Sequence, residues 1–267
     1  MMRLHVNHVT TYRYDAPVPY GLQQLRLTPR PCIGQDIVHW DIRIDGGKKE
    51  LGFADQYGNQ VDLISTQVGA QEISIHSTGE VEVSNRGGIL GPHSGFMPLW
   101  AYTCETALTK AGPRIRALLR ELGSDFDSDI ARAHALSALI TRHAAYRTGT
   151  TNTETTGEQA LEDGSGVCQD HAHIFISAMR VLGHPARYVS GYLMMNDRTS
   201  QDATHAWAEA HMDGIGWVGF DVSNGYSPDD RYIRIATALD FKGATPVSGL
   251  RYGAAHENMF VHLQVQQ

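Results

Sequence analysis

The alternation of apolar and polar positions changes its period once along the chain. From the start to about Ser84 the runs are short and alternate every second residue, as in Val6-Asn7-His8-Val9-Thr10-Thr11-Tyr12 and Ile37-Val38-His39-Trp40-Asp41-Ile42-Arg43-Ile44, with Pro, Gly and Asp clusters between them. That period fits strands that bury one face, so residues 1–90 are expected to form an N-terminal β domain. Ser84 to Pro98 is rich in Gly and Pro, has little periodicity and marks a connection. Beyond it the spacing becomes helical. Ile115, Leu118, Leu119 and Leu122 lie on one helical face, and Asp127 to Tyr146 predicts a second helix opened by Asp and Ser.

Residues 147–166 are polar and Thr-rich, which predicts a loop lying over whatever the next helix presents. A third helix is expected from about Val167 to Leu182, because Gly164 to Gly166 precede it while Gly183 and Pro185 stop it. Three strand-like runs follow: Arg187 to Met195, Ala203 to Met212 and Trp217 to Val222. The last two are joined by the turn signal Asp213-Gly214-Ile215-Gly216. Helices followed by an antiparallel sheet give an α+β class.

Composition narrows the field of functions. The chain has 267 residues, 42% of them hydrophobic, enough for a sizeable core in one large domain or two ordinary ones. A net charge of -7 and no basic tract argue against nucleic acid as a partner. No apolar run has signal-peptide or membrane-spanning length, so no membrane partner and a cytoplasmic location are expected. Three cysteines far apart in such a chain, Cys32, Cys104 and Cys168, read as reduced thiols rather than a disulfide framework.

Candidate chemistry gathers at Gly164-Ser165-Gly166-Val167-Cys168-Gln169-Asp170-His171-Ala172-His173. A zinc site would need about four converging ligands. At about 100° per residue Cys168 and His171 lie about 60° apart around a helix, but His173 points about 140° away from Cys168 and Asp170 about 160°. With no second C-x-x-C or H-x-x-x-H, no metal site is expected. A nucleophile asks instead for stabilisation of a thiolate, a histidine base and a group orienting that base. A cysteine in the first turn of a helix faces unpaired N–H groups and the positive end of the helix dipole. His205 opens a strand that shares one face with Trp207, Glu209 and His211, while Ala206, Ala208, Ala210 and Met212 share the other. Asp221 leaves the next strand opposite its apolar set, and a turn near Asp213 or Gly214 brings it beside His205. The bland alternatives are a buried small thiol, a packed imidazole and a turn aspartate. The residues alone leave both readings open.

The segments beginning Gly166-Val167-Cys168-Gln169-Asp170-His171-Ala172-His173 and Thr204-His205-Ala206-Trp207-Ala208-Glu209 closely resemble the core of bacterial transglutaminase-like proteins. The opening HVTTYRYDAPVPYGLQQLRLTPR and the closing PVSGLRYGAAHENMFVHLQVQQ resemble that family's N-terminal and final regions. The resemblance implies a papain/transglutaminase-like core, with helices packed on an antiparallel sheet, preceded by a β-sandwich-like domain. The catalytic domain would span residues 91–267, with room for its last strand to return to the β domain. It further implies Cys168 as nucleophile, His205 as general base, Asp221 as the residue orienting it, Tyr146 as an oxyanion donor beside the Cys168 N–H, and no cofactor.

Two positions depart from the family's usual motif. Asp221-Val222-Ser223-Asn224 stands where Asp-Pro-Thr-Asn is common, and His171 stands where an aromatic residue often follows the motif's Asp. The second departure is expected to put another imidazole near the thiol. The implied activity is acyl transfer on a peptide or protein substrate, with hydrolysis favoured over transfer to an amine. A binding module that keeps the triad without turnover remains the alternative from a different class.

Overall fold

The computed structural model describes residues 1–253 and 256–267; two residues of the closing segment, 254 and 255, lie outside the described part. Seven strands come first: β1 (Met2–Val18), β2 (Tyr20–Thr28), β3 (Gln35–Asp45), β4 (Gly47–Ala54), β5 (Gln60–Thr66), β6 (Ala70–Val83) and β7 (Ile89–Gly91). Then follow α1 (Pro113–Leu122), α2 (Asp129–His143), β8 (Ala145–Tyr146), α3 (Gly157–Asp163), β9 (Ser165–Gly166) and α4 (Cys168–Val181). The chain closes with β10 (Ala186–Leu193), β11 (Ser200–Gln201), β12 (His205–Met212), β13 (Gly216–Phe220), β14 (Tyr232–Ala238), α5 (Phe241–Ala244), β15 (Val247–Tyr252) and β16 (Glu257–Gln266). Strand outweighs helix, and among the described residues no helix is long and apolar enough to cross a membrane.

Three antiparallel sheets carry the architecture, in the orders β11-β16-β1-β6-β3, β15-β2-β5-β4 and β14-β10-β12-β13-β7. The first two share an apolar layer built by Tyr12, Val18, Ile73 and Ile75 from one and Leu25, Leu27 and Ile64 from the other. The last strand pairs with the first, Thr10 opposite Val261, and β15 pairs with β2. The third sheet lies under α4, which is buried on every side from Asp170 to Arg180; its buried Asp170, His171, His173 and Arg180 each have hydrogen-bond partners within the protein. Ala206, Ala208 and Ala210 on β12 let this helix approach closely, with Phe175 of α4 against Phe220 of β13 at 4.9 Å between ring centroids. The same cluster takes in Leu4, Val6, Val81, Val83, Leu263 and Val265, so one apolar core runs from the helices into the N-terminal strands.

Two expectations need correction. The Thr-rich stretch 147–166 is not all loop: Thr156 accepts from Gln159 N and Gln159 Oε1 from Thr156 N, a reciprocal cap that opens the seven-residue α3. The connection 84–98 also contributes a strand, since β7 pairs with β13 at the edge of the core sheet. The opposite edge, β14, is covered by side chains of the N-terminal region. Gln35 exchanges bonds with the Arg234 backbone and Asn59 with the Thr237 backbone, each amide mimicking a neighbouring strand.

Candidate active site

Cys168 is the first residue of α4, and the sequence before it fixes that start. β9 pairs in parallel with β8, setting Gly166 opposite Tyr146. At Gly166 a Cβ would fall 2.7 Å from the Asp170 Cβ, so glycine is required for the close approach. Asp170 in turn accepts at one carboxylate oxygen from Val167 N at 2.8 Å and from the Thr151 hydroxyl at 2.7 Å. Burial pushes the Asp170 carboxyl up, against these bonds. The half-buried Cys168 thus sits over the unpaired N–H groups of a helix whose start is locked from two sides.

His205 opens β12 and Asp221 directly follows β13. Their ladder runs Met212 opposite Gly216 to Ala208 opposite Phe220. One further step sets Asp221 across from Trp207, so His205 and Asp221 meet on the diagonal, a shift of two from direct opposition. They meet closely, with His205 Nε2 2.6 Å from Asp221 Oδ2. Asp221 is almost wholly buried and accepts three further bonds: Tyr232 O–H at 2.7 Å, Asn224 Nδ2–H at 2.7 Å and the Asn224 backbone N–H at 3.2 Å. Burial alone would raise its carboxyl, but the bonds from His205, Tyr232 and Asn224 hold it below the usual carboxylate range. With Nε2 engaged by Asp221, Nδ1 is the ring nitrogen left for the Cys168 thiol. Burial opposes the charged imidazole, yet hydrogen bonds to Asp221 and Cys168, with the negative charge of both, raise His205 from 6.5 to about 10. Trp207 stacks on the His205 ring at 6.2 Å and 30°, and Tyr232 flanks it at 6.0 Å.

The remaining sequence candidates divide. Tyr146 does not end a helix, since α2 stops at His143; it lies on β8, more than half exposed. Partial burial and the nearby charges of Cys168 and Asp221 push its hydroxyl up, which sets it beside the same cleft. His171 differs from expectation. Its Nε2–H donates to the Ala144 carbonyl at 2.9 Å and its Nδ1 accepts from Ser223 O–H at 2.8 Å, so neither nitrogen is left for the thiol. Burial lowers its pKa and favours the neutral ring these bonds require. The two departures from the family motif therefore touch each other and tie the loop after Asp221 to the segment before Tyr146. His173 lies in the core, where Nε2 accepts from Phe241 N at 3.1 Å. Among the described residues no three His, Cys, Asp or Glu side chains form a metal-holding group. Sequence reasoning missed Tyr232, because nothing in Arg231-Tyr232-Ile233-Arg234-Ile235 sets its hydroxyl apart from an ordinary strand aromatic.

Comparison with known proteins gives a consistent picture. Residues 116–222 match the model of the transglutaminase-like superfamily, and residues 4–82 match the bacterial transglutaminase-like N-terminal region. An uncharacterised protein of Mycobacterium leprae is 26% identical over 99% of both chains. One of Mycobacterium tuberculosis is 29% identical over 98% of this chain and 91% of its own. Among solved structures, "a Putative Cysteine Protease from Cytophaga hutchinsonii" has the same fold, with a TM-score of 0.78 at 21% identity over 100% of this chain and 91% of that one.

Proposed function

Since the chain belongs to the transglutaminase-like superfamily, we propose that it is a cysteine-dependent acyl-transfer enzyme that hydrolyses amide bonds, of the peptide or isopeptide kind, as a protease or amidase. The observation that carries the proposal is the line Asp221–His205–Cys168. A buried carboxylate lies 2.6 Å from the imidazole, and its charge, together with the hydrogen bond and negative charge of Cys168, raises the imidazole from 6.5 to about 10. A charged imidazole beside a thiol is the resting state of an activated sulfur nucleophile.

In the first half-reaction the Cys168 sulfur forms a C–S bond to the amide carbonyl, and the displaced π pair becomes an oxyanion. The Cys168 backbone N–H at the start of α4 is one donor for that oxyanion, and the Tyr146 hydroxyl is our candidate for the second. His205 gives its Nδ1 proton to the leaving nitrogen as the C–N bond breaks, leaving a thioester and a free amine. Water then attacks the thioester; His205 takes one of its protons, a carboxylic acid leaves, and the thiolate–imidazolium pair returns. Asp221 keeps the Nε2–H pointed at itself throughout, fixing the ring orientation.

Incubation with glutamine peptides, with and without an added primary amine, tests the outcome of the second step. Mass spectrometry should trap an acyl group on Cys168, and ammonia release should exceed amine incorporation. Faster incorporation than hydrolysis would replace the protease reading by amine transfer. No acyl-enzyme with any peptide amide would leave a binding module.

A further inference from the structure

The face of the core sheet turned away from α4 carries charge where a sheet face normally carries apolar residues. Arg187 on β10 and Glu209 on β12 stand opposite each other and are buried, Glu209 completely. Glu209 is held by Arg187 Nε at 2.5 Å and by Arg234 of β14 through Nε at 2.8 Å and Nη2 at 3.3 Å. Two guanidinium groups thus share one carboxylate, which leaves one positive charge over. Arg234 makes two of the bonds to Glu209 and Arg187 only one, so Arg187 keeps more of its donors free for a further partner. An uncompensated buried charge is expensive unless something pairs with it.

A cavity of about 390 Å³ opens at this place. Arg30, Cys32 and Tyr57 line it from the N-terminal region, and Arg187, Trp217 and Arg234 line it from the core sheet. Its size falls in the range of small-ligand sites, and no Asp or Glu is among the described residues lining it. The Arg187 guanidinium carbon sits over the Trp217 ring, 3.8 Å from its centroid, a cation–π contact that helps to hold the cation in place. At the other side Arg30 is steadied by a bond from Nη1 to the Gly58 carbonyl.

We propose that this cavity is a second binding site, separate from the Cys168 cleft, which takes the carboxylate of a small molecule or chain terminus on Arg187, with Arg30 and Arg234 beside it. The buried Arg187–Glu209–Arg234 group has one surplus charge, which matches a monoanion, while Arg30 is exposed and its charge is screened by water. A planar carboxylate fits a planar guanidinium by paired hydrogen bonds. Tyr57 and Trp217 supply aromatic walls for an apolar or aromatic body. Because its walls come from both parts of the chain, an occupied site would join the N-terminal strands to the core sheet.

Isothermal titration of the full-length protein with benzoate, N-acetylglycine, benzamide and inorganic phosphate tests this. At least one of the two carboxylates should bind saturably, one per chain, and neutral benzamide at least about tenfold more weakly than benzoate. Arg187→Met, which leaves Glu209 balanced by Arg234, should weaken carboxylate binding by about tenfold or more, and Arg30→Ala by a smaller factor. No saturable carboxylate binding up to about 50 mM would overturn the proposal, as would preference for phosphate or equal binding of benzamide. Unchanged carboxylate binding in Arg187→Met would overturn it too. If Arg187→Met does not fold, the comparison of benzoate with benzamide and the Arg30→Ala variant decide.

Discussion

At the scale of single residues, Asp221 has more bonds than a turn aspartate needs. His205, Tyr232 and two groups of Asn224 all donate to its buried carboxylate. Asp221→Asn keeps the shape but loses the charge that holds the imidazole protonated. It should slow turnover, and alkylation of Cys168 at neutral pH, by on the order of 10³-fold. Tyr232→Phe removes one bond to a buried charge and should cost about 1.5–3 kcal/mol, read from urea unfolding at neutral pH; an unchanged midpoint would mean the bond contributes nothing. His205 also makes stability depend on pH. Its folded-state pKa is raised from 6.5 to about 10. Its contribution is therefore complete below about pH 6.5 and is lost as pH rises through about 10. Asp221, held below its ordinary value, contributes above that value and loses its contribution as pH falls through the folded one. Denaturant unfolding from pH 6 to pH 10 should show the advantage of wild type over His205→Ala shrinking as pH rises. A constant difference would argue against the raised imidazole.

At the scale of elements, the site is assembled from the ends of α4, β12 and β13. Gly166→Ala would drive a methyl group into Asp170 and shift the start of α4. We expect a loss of about 1–3 kcal/mol by denaturation, with slower thiol alkylation, because Cys168 moves off the N–H groups it faces. These elements were legible in the sequence for physical reasons. The small-residue face of β12, the Asp213–Gly216 turn and the glycines before Cys168 each leave a local pattern that tertiary structure did not override. α3 was hidden because its Thr and Gln look like loop polarity until they are seen to cap each other across three residues. Tyr232, the His171–Ser223 bond and the Arg187–Glu209–Arg234 group were not legible. Their partners are brought together by sheet order, and one sequence carries no trace of which strand lies beside which.

At the scale of the whole molecule, the N-terminal strands and the core are joined by structure as well as by chain. β16 pairs along β1, and Leu263 and Val265 are buried in the shared core. Removing residues 254–267 would strip β1 of a neighbour and expose apolar surface to water. The truncated chain should aggregate or melt well below wild type in a thermal scan, whereas an independent catalytic part would melt unchanged. That the last strand can return to the N-terminal strands follows from the resemblance of the closing segment to the family. The buried charges between the two parts do not, since an Arg or Glu on a strand reads as a solvent-facing residue until the other layer is seen to cover it.

The most direct test of the account is the pH dependence of iodoacetamide alkylation at Cys168, mapped by mass spectrometry, in wild type and His205→Ala. A thiolate–imidazolium pair predicts rapid labelling well below about pH 8, markedly slowed in His205→Ala. Labelling that rises only near about pH 8.5, and alike in both proteins, would mean an ordinary thiol and would contradict the enzyme reading.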